Sequence, residues 1–228
     1  MSVPPESAGA TGPAADAPQL TTETPPAPGP RAPARRAGKS DATWEVIETI
    51  AIAIILFFVM RLLVLPVKVD GQSMLPSLNQ DQHLLVNQRA YTHWDIGGHT
   101  YYLFGPPHRG DIIVLTPPPL ELRQGIPFIK RIVGLPGETV LVTGGKVLIN
   151  GKPIDEPYIA EPPSYTWPAN GQPMAVPAHN VVVFGDNRNR SEDSSRFGLL
   201  DESLIRGRAF FTFYPVREIS YLPKPSYA

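Results

Sequence analysis

Residues 70–78 read Asp-Gly-Gln-Ser-Met-Leu-Pro-Ser-Leu and follow directly after a long apolar stretch. A lone serine flanked by glycine and proline is typical of a turn. Ser73 becomes a candidate nucleophile because two later segments could supply its partners. The apolar segment 126–133 contains Lys130, and the polar loop 185–194 is rich in hydroxyl and charged groups. A nucleophile, a base and an orienting hydroxyl can all be drawn from these three places.

The apolar stretch before this serine covers residues 46–67 and is broken only by Glu48 and Arg61. Its uncharged part, residues 49–60, is shorter than the ~20 residues that a bilayer span needs. Arg61 can extend its guanidinium towards lipid headgroups while its stem stays in lipid, which lengthens the span. We therefore expect a transmembrane anchor helix at residues 44–65. The alternatives are a buried core helix or an interfacial helix.

A cleavable signal peptide is a poorer interpretation of this stretch. It lies far from the N-terminus, and residues 65–69 offer no small-residue cleavage site. The orientation of the anchor follows from the basic residues around it, since these favour the cytoplasmic side. Basic residues cluster before the span, whereas Lys68 alone follows closely. This bias predicts a cytoplasmic N-terminus and an extracytoplasmic remainder. The preceding basic residues are Arg31, Arg35, Arg36 and Lys39.

Composition limits what the remaining chain can be. The 228 residues carry a net charge of −1, which gives no electrostatic reason to expect a nucleic-acid partner. Cysteine is absent, which excludes disulfides and thiolate nucleophiles. Residues 1–43 are rich in proline and alanine and contain no aromatic residue. Such a segment buries too little apolar surface to offset its ordering entropy, so we expect a disordered cytoplasmic tail.

Residues 66–228 show the pattern of a mainly β domain with long loops. Short apolar or alternating runs are separated by turn signals, of which Gly144-Gly145 and Asn150-Gly151 predict tight hairpins. Helices are expected only near 76–79 and 191–195, and residues 87–108 and 155–178 are expected to be surface excursions. The predicted strands are 67–69, 112–115, 128–133, 140–142, 146–149, 181–184 and 209–214.

The usual base for a serine nucleophile is histidine, but the five histidines show no catalytic or metal-binding spacing. We therefore expect loop histidines and no metal site. Lysine can replace histidine when burial keeps its amine neutral. Lys130 has apolar neighbours on both sides, although a lysine in a strand more often points to solvent. Ser191 could hydrogen-bond the lysine nitrogen, unless its loop is simply a solvated hairpin tip.

Four motifs in this order, behind an N-terminal anchor, resemble the type I signal peptidase (leader peptidase) family over residues 45–220. They are 71–78, already quoted; 109–114, Arg-Gly-Asp-Ile-Ile-Val; 130–138, Lys-Arg-Ile-Val-Gly-Leu-Pro-Gly-Glu; and the pair 185–188, Gly-Asp-Asn-Arg, with 191–194, Ser-Glu-Asp-Ser. Each motif alone is weak, but four in register are specific. The resemblance implies a signal-peptidase-like β-rich catalytic domain in the bacterial cytoplasmic membrane.

The resemblance also implies residue roles. Ser73 would be the nucleophile and would supply a backbone N–H to the oxyanion, and Lys130 would be the general base. Ser191 would orient the lysine, and three charged residues, Arg131, Asp186 and Asp193, would support the site. No cofactor would be needed. The partners would be the lipid bilayer and exported preproteins, bound as an added strand and cut after Ala-x-Ala sequences. The residues expected to form the substrate pockets are Val67, Val69, Met74, Leu78, Phe128 and Ile129.

The chain departs from the family pattern at two positions. Gly71 stands where some members carry a serine whose hydroxyl helps to bind the oxyanion, so the Ser73 N–H would act with fewer donors. Ser195 stands where arginine is usual; Arg196 could substitute from the next position, which leaves the ion-pair partner of Asp193 open. Two other interpretations remain open: a self-cleaving, repressor-type serine–lysine peptidase, and an inactive tethered module that binds precursors without cutting.

Overall fold

The computed structural model describes residues 29, 39–118, 126–223, 225 and 227. The tail predicted at residues 1–43 lies almost entirely outside the described residues. Two helices and fourteen strands are assigned within the described part of the chain, together with three short 3-10 turns at Arg188–Arg190, Glu202–Leu204 and Val216–Glu218.

Helix α1 runs over Lys39–Leu63 and leads directly into the first strand. Its segment Thr43–Leu63 has a mean hydropathy of 2.5, and none of it is buried. A 21-residue helix is about 30 Å long at ~1.5 Å per residue, which matches the hydrocarbon thickness of a bilayer. The predicted span ended two residues later, at Leu65. In the structure Val64 and Leu65 instead pair with β2, so the helix stops before them.

The main sheet is antiparallel and has the order β1-β2-β13-β5-β6-β11-β12, with β14 paired to β13. Its two central strands, β5 and β6, are buried on both faces, which explains their nearly continuous apolar sequences. The strands of this sheet are β1 Val64–Lys68, β2 His83–Asn87, β5 Ile112–Leu115, β6 Phe128–Gly134, β11 Asn180–Phe184, β12 Leu200–Asp201, β13 Ile205–Tyr214 and β14 Ser220–Tyr221.

Two smaller sheets complete the fold. One has the order β10-β7-β8-β9, and the other is the β3–β4 hairpin. The turns at Gly144-Gly145 and Asn150-Gly151 have positive φ at all four residues, as tight hairpins of this kind require. The strands are β3 His93–Ile96, β4 His99–Tyr102, β7 Thr139–Thr143, β8 Lys146–Ile149, β9 Lys152–Pro153 and β10 Met174–Ala175.

The second sheet packs closely against the end of β6. A Cβ added at Gly134 would lie 2.6 Å from a methyl group of Val140 and 2.9 Å from Cβ of Val182. Only glycine therefore allows β7 to approach β6 and β11 at this point. The approach buries a core cluster that includes Val133, Val142 and Phe184. Because β6 and β11 share this cluster, it fixes the strand ends that carry the polar residues of the site.

The mainly β architecture is confirmed, and each of the seven predicted strands overlaps an observed one, with ends shifted by up to four residues. The prediction missed β2, the short strands and the β3–β4 hairpin, which lies inside the predicted excursion 87–108. The helix predicted near 76–79 is wrong, because this segment forms hydrogen-bonded turns. The helix predicted near 191–195 exists as α2, Ser194–Phe197.

Candidate active site

The segment 71–78 forms a turn that projects Ser73 from the edge of the main sheet. Met74 and Leu78 are almost fully buried in the core and anchor the turn. The Leu78 N–H donates to the Met74 carbonyl at 2.9 Å, and the Leu75 N–H donates to the Gln72 carbonyl at 3.2 Å. Gly71 has φ +98, a conformation that other residues rarely adopt. Ser73 is half-buried, and the residues on either side of it fix its position.

Lys130 and Ser73, which are 57 residues apart, meet at this turn. Nζ of Lys130 lies 2.9 Å from Oγ of Ser73 and 3.0 Å from the carbonyl oxygen of Ile129. The lysine is 3% exposed, because β6 is covered on both faces. The alternative of a solvent-facing lysine is therefore excluded. Its amine also lies 5.1 Å from the centre of the Phe128 ring.

Burial lowers the pKa of Lys130 from 10.5 to about 8. The ammonium loses hydration inside the protein, which disfavours the charged form. Three nearby negative charges raise this pKa, but by less than burial lowers it; they belong to Asp193, Glu192 and Asp186. A substantial fraction of Lys130 is therefore neutral near pH 8, as a general base must be.

Arg131, the next residue along β6, makes a paired contact with Asp186. Its Nε and Nη2 donate to the two carboxylate oxygens at 2.8 and 2.6 Å, and Nη1 donates to the Gly110 carbonyl at 2.9 Å. The guanidinium also stacks on the Tyr158 ring at 4.1 Å. Both charged groups are buried, and this two-pronged geometry suits a planar guanidinium. The contact ties β6 to the loop that follows β11.

Asp193 supports the same loop through backbone groups. Its Oδ2 accepts from the Gly185 N–H at 2.9 Å, and its Oδ1 accepts from the Ser195 N–H at 3.0 Å, which caps α2. Within the described residues Asp193 has no ion-pair partner within 4.0 Å, and Arg196 is exposed at the surface. Arg196 therefore does not replace the missing arginine as a partner of Asp193, whose carboxylate accepts from two backbone N–H groups instead.

Ser191 lies close to the Ser73 turn but makes no hydrogen bond to the Lys130 amine. Its Oγ is buried and has no hydrogen-bond partner within the described residues. Gly185 separates it from the turn: a Cβ at Gly185 would lie 2.4 Å from Ser191 Oγ and 2.5 Å from the Ser73 carbonyl oxygen. The predicted orienting bond is therefore absent from this conformation, although the hydroxyl lies at the cleft wall.

A cleft of about 600 Å³ opens over Ser73 and Lys130. Residues 68–74 form one wall and residues 126–130 another, while residues 189–192 and Arg196 complete the lining. Four of the six residues predicted to form pockets line this cleft: Val69, Met74, Phe128 and Ile129. The structure does not bring Val67 or Leu78 to it, because both pack in or against the core beneath the turn.

Comparison with known proteins identifies the family of this chain. The family described as signal peptidase, peptidase S26, matches residues 43–214. The chain belongs to the peptidase S26 signal peptidase family. A signal peptidase I of Leptolyngbya laminosa is 42% identical over 215 residues, which cover 91% of this chain and 96% of the relative. A probable signal peptidase I-1 of Synechocystis sp. (strain ATCC 27184 / PCC 6803 / Kazusa) is 41% identical over 75% of this chain and 82% of its own.

A crystal structure of a signal peptidase I from Enterococcus faecalis V583 has 34% identity and a TM-score of 0.39, covering 46% of this chain and 97% of the crystallised one. The relatives of the chain are signal peptidase I enzymes, and it is a protease of this kind, acting on preproteins that bear signal peptides. The apolar helix α1 fits a signal peptidase that is anchored in a membrane.

Sequence reasoning missed one residue that positions Ser73, the candidate nucleophile of this signal peptidase. Asn187 donates its backbone N–H to the Ser73 carbonyl at 3.0 Å and its side-chain amide to the Gln72 carbonyl at 3.1 Å. Its place in the 185–188 motif was the available signal. The adjacent Arg188 forms a buried two-pronged pair with Glu156, at 2.7 and 2.5 Å, and also donates to the Gly185 carbonyl at 3.2 Å. Nothing in the sequence around Glu156 indicates this contact.

Proposed function

We propose that the protein is a serine endopeptidase in which Ser73 and Lys130 form the catalytic dyad. The observation that carries the proposal is the 2.9 Å contact between Oγ and Nζ, made by a lysine that is 3% exposed. Neutral Lys130 takes the Ser73 proton as the hydroxyl attacks the scissile carbonyl, and then delivers it to the leaving amine. Water activated by Lys130 hydrolyses the acyl-enzyme on Ser73.

The oxyanion of this reaction would bind to the Ser73 backbone N–H. This group has no hydrogen-bond acceptor within the described residues, whereas the Ser73 carbonyl is held by Asn187. Gly71 supplies no side-chain donor, so the donor set is smaller than in relatives with serine at that position. The charged residues Arg131, Asp186 and Asp193 act indirectly, by fixing the strand and loop ends around the dyad. Ser191, whose hydroxyl has no hydrogen-bond partner among the described residues, would contribute only as part of the cleft wall.

The substrate would lie as an extended strand in the cleft, with small side chains at alternate positions. β1 is a terminal strand of the main sheet, and its outer edge pairs with no described strand. An extended peptide can add to such an edge, which turns alternate side chains to the same side. Four apolar side chains line the cleft there, which favours small, alanine-like side chains in the substrate and supports an Ala-x-Ala preference. They are Val69, Met74, Phe128 and Ile129.

Membrane attachment is the last part of the proposal. α1 would span the bacterial cytoplasmic membrane with the N-terminus in the cytoplasm and residues 66–228 on the extracytoplasmic side. The support is the length and apolarity of Thr43–Leu63 and the basic residues that precede it in the sequence. Substrates would then be exported preproteins that reach the outer face of the membrane.

The test is cleavage of a synthetic precursor peptide with an Ala-x-Ala site by the detergent-solubilised protein. Ser73→Ala and Lys130→Ala should each reduce kcat/KM by about 10³-fold or more, because nucleophile and base act as a unit. Matched controls are Ser220→Ala and Lys146→Ala, which remove the same groups from exposed positions outside the cleft. Cleavage by folded Lys130→Ala at a near-normal rate would refute the dyad, and Ser73→Ala that still cuts would refute the nucleophile.

A further inference from the structure

Three polar residues from separate elements meet away from the cleft. His93 begins β3, His179 lies in the turn before β11, and Glu202 begins the 3-10 turn after β12. One ligand atom from each lies within 4.8 Å of the other two. Among the residues that the structure describes, this is the one such group of histidine and carboxylate side chains.

Two atoms of this group are buried without a partner. Glu202 is 5% exposed; its Oε2 accepts from the Tyr102 hydroxyl at 3.1 Å, but its Oε1 has no hydrogen-bond partner within the described residues. Nδ1 of His179 is likewise buried and unpartnered there. A buried polar atom without a partner costs stability, because it has lost its hydration without gaining a hydrogen bond. A cation bound between Oε1 and Nδ1 would remove both costs.

One surrounding contact orients the His93 imidazole as a metal ligand. Nδ1 of His93 lies 3.0 Å from the Tyr91 carbonyl oxygen, so a proton on Nδ1 leaves the Nε2 lone pair free. Metal-binding histidines commonly donate their second N–H to a carbonyl or carboxylate in this way. His179 has no such hydrogen bond: its Nε2 lies 3.9 Å from Oδ2 of Asp95, which is beyond hydrogen-bond distance, while its Nδ1 is buried without a partner among the described residues.

We propose that His93, His179 and Glu202 bind one Zn²⁺ ion, with water as the fourth ligand. Two imidazoles and one carboxylate are a typical zinc ligand set, whereas Mg²⁺ and Ca²⁺ prefer oxygen ligands alone. Tetrahedral ligands at ~2.1 Å from zinc lie about 3.4 Å from one another. The three atoms must therefore close in by up to about 1.4 Å from the 4.8 Å limit, which rotation of the half-buried imidazoles allows.

Zinc at this position would fasten the β3–β4 hairpin to the main sheet. His93 belongs to the hairpin, while His179 and Glu202 flank the paired residues Asn180 and Asp201 of β11 and β12. β11 then runs from Asn180 to Phe184, about 13 Å at ~3.3 Å per residue, before it reaches the catalytic loop. The ion would thus stabilise the fold without contacting the dyad.

The experiment uses the full chain in detergent, freed of metal by a chelator and titrated with Zn²⁺ by calorimetry. We expect one ion per chain and a rise in Tm of roughly 5–10 °C at a zinc concentration a hundredfold above Kd. His93→Gln and Glu202→Gln should each weaken binding at least tenfold. The matched control is His99→Gln, which removes an exposed histidine from the same hairpin. Mg²⁺ at the same concentration should not raise Tm.

Two further measurements keep the outcome unambiguous. Cleavage of a precursor peptide without zinc shows that each variant is folded, since none of the three residues lies in the cleft. Co²⁺ in place of Zn²⁺ should give the visible absorption of a tetrahedral site, and this absorption should disappear in His93→Gln. Absence of stoichiometric binding, or equal affinity in His93→Gln, Glu202→Gln and His99→Gln, would overturn the proposal.

Discussion

Lys130 and Arg131 are sequence neighbours and both are buried, yet the protein shifts their pKa values in opposite directions. The Arg131 guanidinium faces the two oxygens of Asp186 at hydrogen-bond distance, and this pairing raises its pKa despite burial. The Lys130 amine, in contrast, contacts the Ser73 hydroxyl and the Ile129 carbonyl. Among the described residues, no carboxylate lies within hydrogen-bond distance of it. Burial therefore prevails at Lys130 and lowers its pKa. Because side chains alternate along β6, Lys130 lies at the cleft and Arg131 lies on the opposite face of the strand, against Asp186.

The first prediction is that activity depends on deprotonation of Lys130. Its pKa of about 8 means that the active, neutral form increases as pH rises, so log kcat/KM should rise with unit slope below about pH 8 and level off above it. The measurement is the pH profile of kcat/KM for a precursor peptide, taken within the range where circular dichroism shows the fold intact.

One substitution tests the assignment of this pH midpoint. The Glu192 carboxylate raises the pKa of Lys130, so Glu192→Gln should move the midpoint of the profile to lower pH. Glu161→Gln, which changes an exposed carboxylate outside the cleft, should leave the midpoint unchanged. A midpoint near pH 6.5, typical of histidine, or a shift of equal size in both variants would contradict the lysine assignment.

At the scale of elements, β6 and the loop after β11 are held together by the buried pair of Arg131 and Asp186. Arg131→Met should destabilise the protein by about 3–5 kcal/mol, because it leaves a buried carboxylate without its partner. The comparison is Lys68→Met, which breaks an exposed pair with Asp81 and should leave the unfolding midpoint nearly unchanged. Denaturant unfolding at pH 7 measures both.

The double variant separates two explanations for a loss of stability at Arg131. If the cost arises from the unpaired carboxylate, Arg131→Met with Asp186→Asn should recover part of it, because a neutral amide is cheaper to bury than a charge. If the cost arises from lost packing against Tyr158, the second substitution should recover nothing. Equal stability of Arg131→Met and wild type would contradict the structural role altogether.

Some elements could be predicted from sequence because their signals are local. β5 is a continuous apolar run and β6 is apolar on both sides of Lys130 and Arg131, as strands buried on both faces require. The Gly-Gly and Asn-Gly turns determine where β7 and β8 reverse. β2 was missed because its sequence, His-Leu-Leu-Val-Asn, does not alternate between apolar and polar residues, although its burial alternates in the structure. The helix expected near 76–79 failed because Met74 and Leu78 serve to pin a turn.

The meeting of Ser73 with Lys130 was expected from motifs, whereas other contacts of the site were not. Asn187 reaches Gln72 across 115 residues, and Glu156 meets Arg188 across 32, so neither has a local pattern. The cluster of His93, His179 and Glu202 shows the same limitation. Zinc spacing is visible in a sequence when ligands share one helix or loop, but here three elements each supply one ligand.

At the scale of the whole molecule, α1 is the proposed membrane anchor. Replacing Ile54 and Leu56 by arginine should release the protein from membranes, since each central arginine adds about 2.5–3.5 kcal/mol to insertion. Both side chains are exposed, so no internal packing is lost. The measurement is the fraction of protein that sediments with membranes after alkaline extraction.

The same two substitutions made elsewhere on the surface control for added charge. Val216→Arg with Ile219→Arg changes two exposed apolar residues near the end of β13 and should leave sedimentation unchanged. Retention of the α1 variant in the membrane fraction would show that another part of the chain carries the attachment.

The direct passage from α1 into β1 also limits where cleavage can occur. α1 ends at Leu63, β1 begins at Val64, and Ser73 follows only ten residues after the helix. Even a fully extended chain of that length spans at most about 35 Å. With α1 in the bilayer, as proposed, Ser73 must lie within about 35 Å of the membrane surface. A scissile bond held farther out escapes cutting whatever its sequence, so distance from the lipid selects substrates before any pocket does.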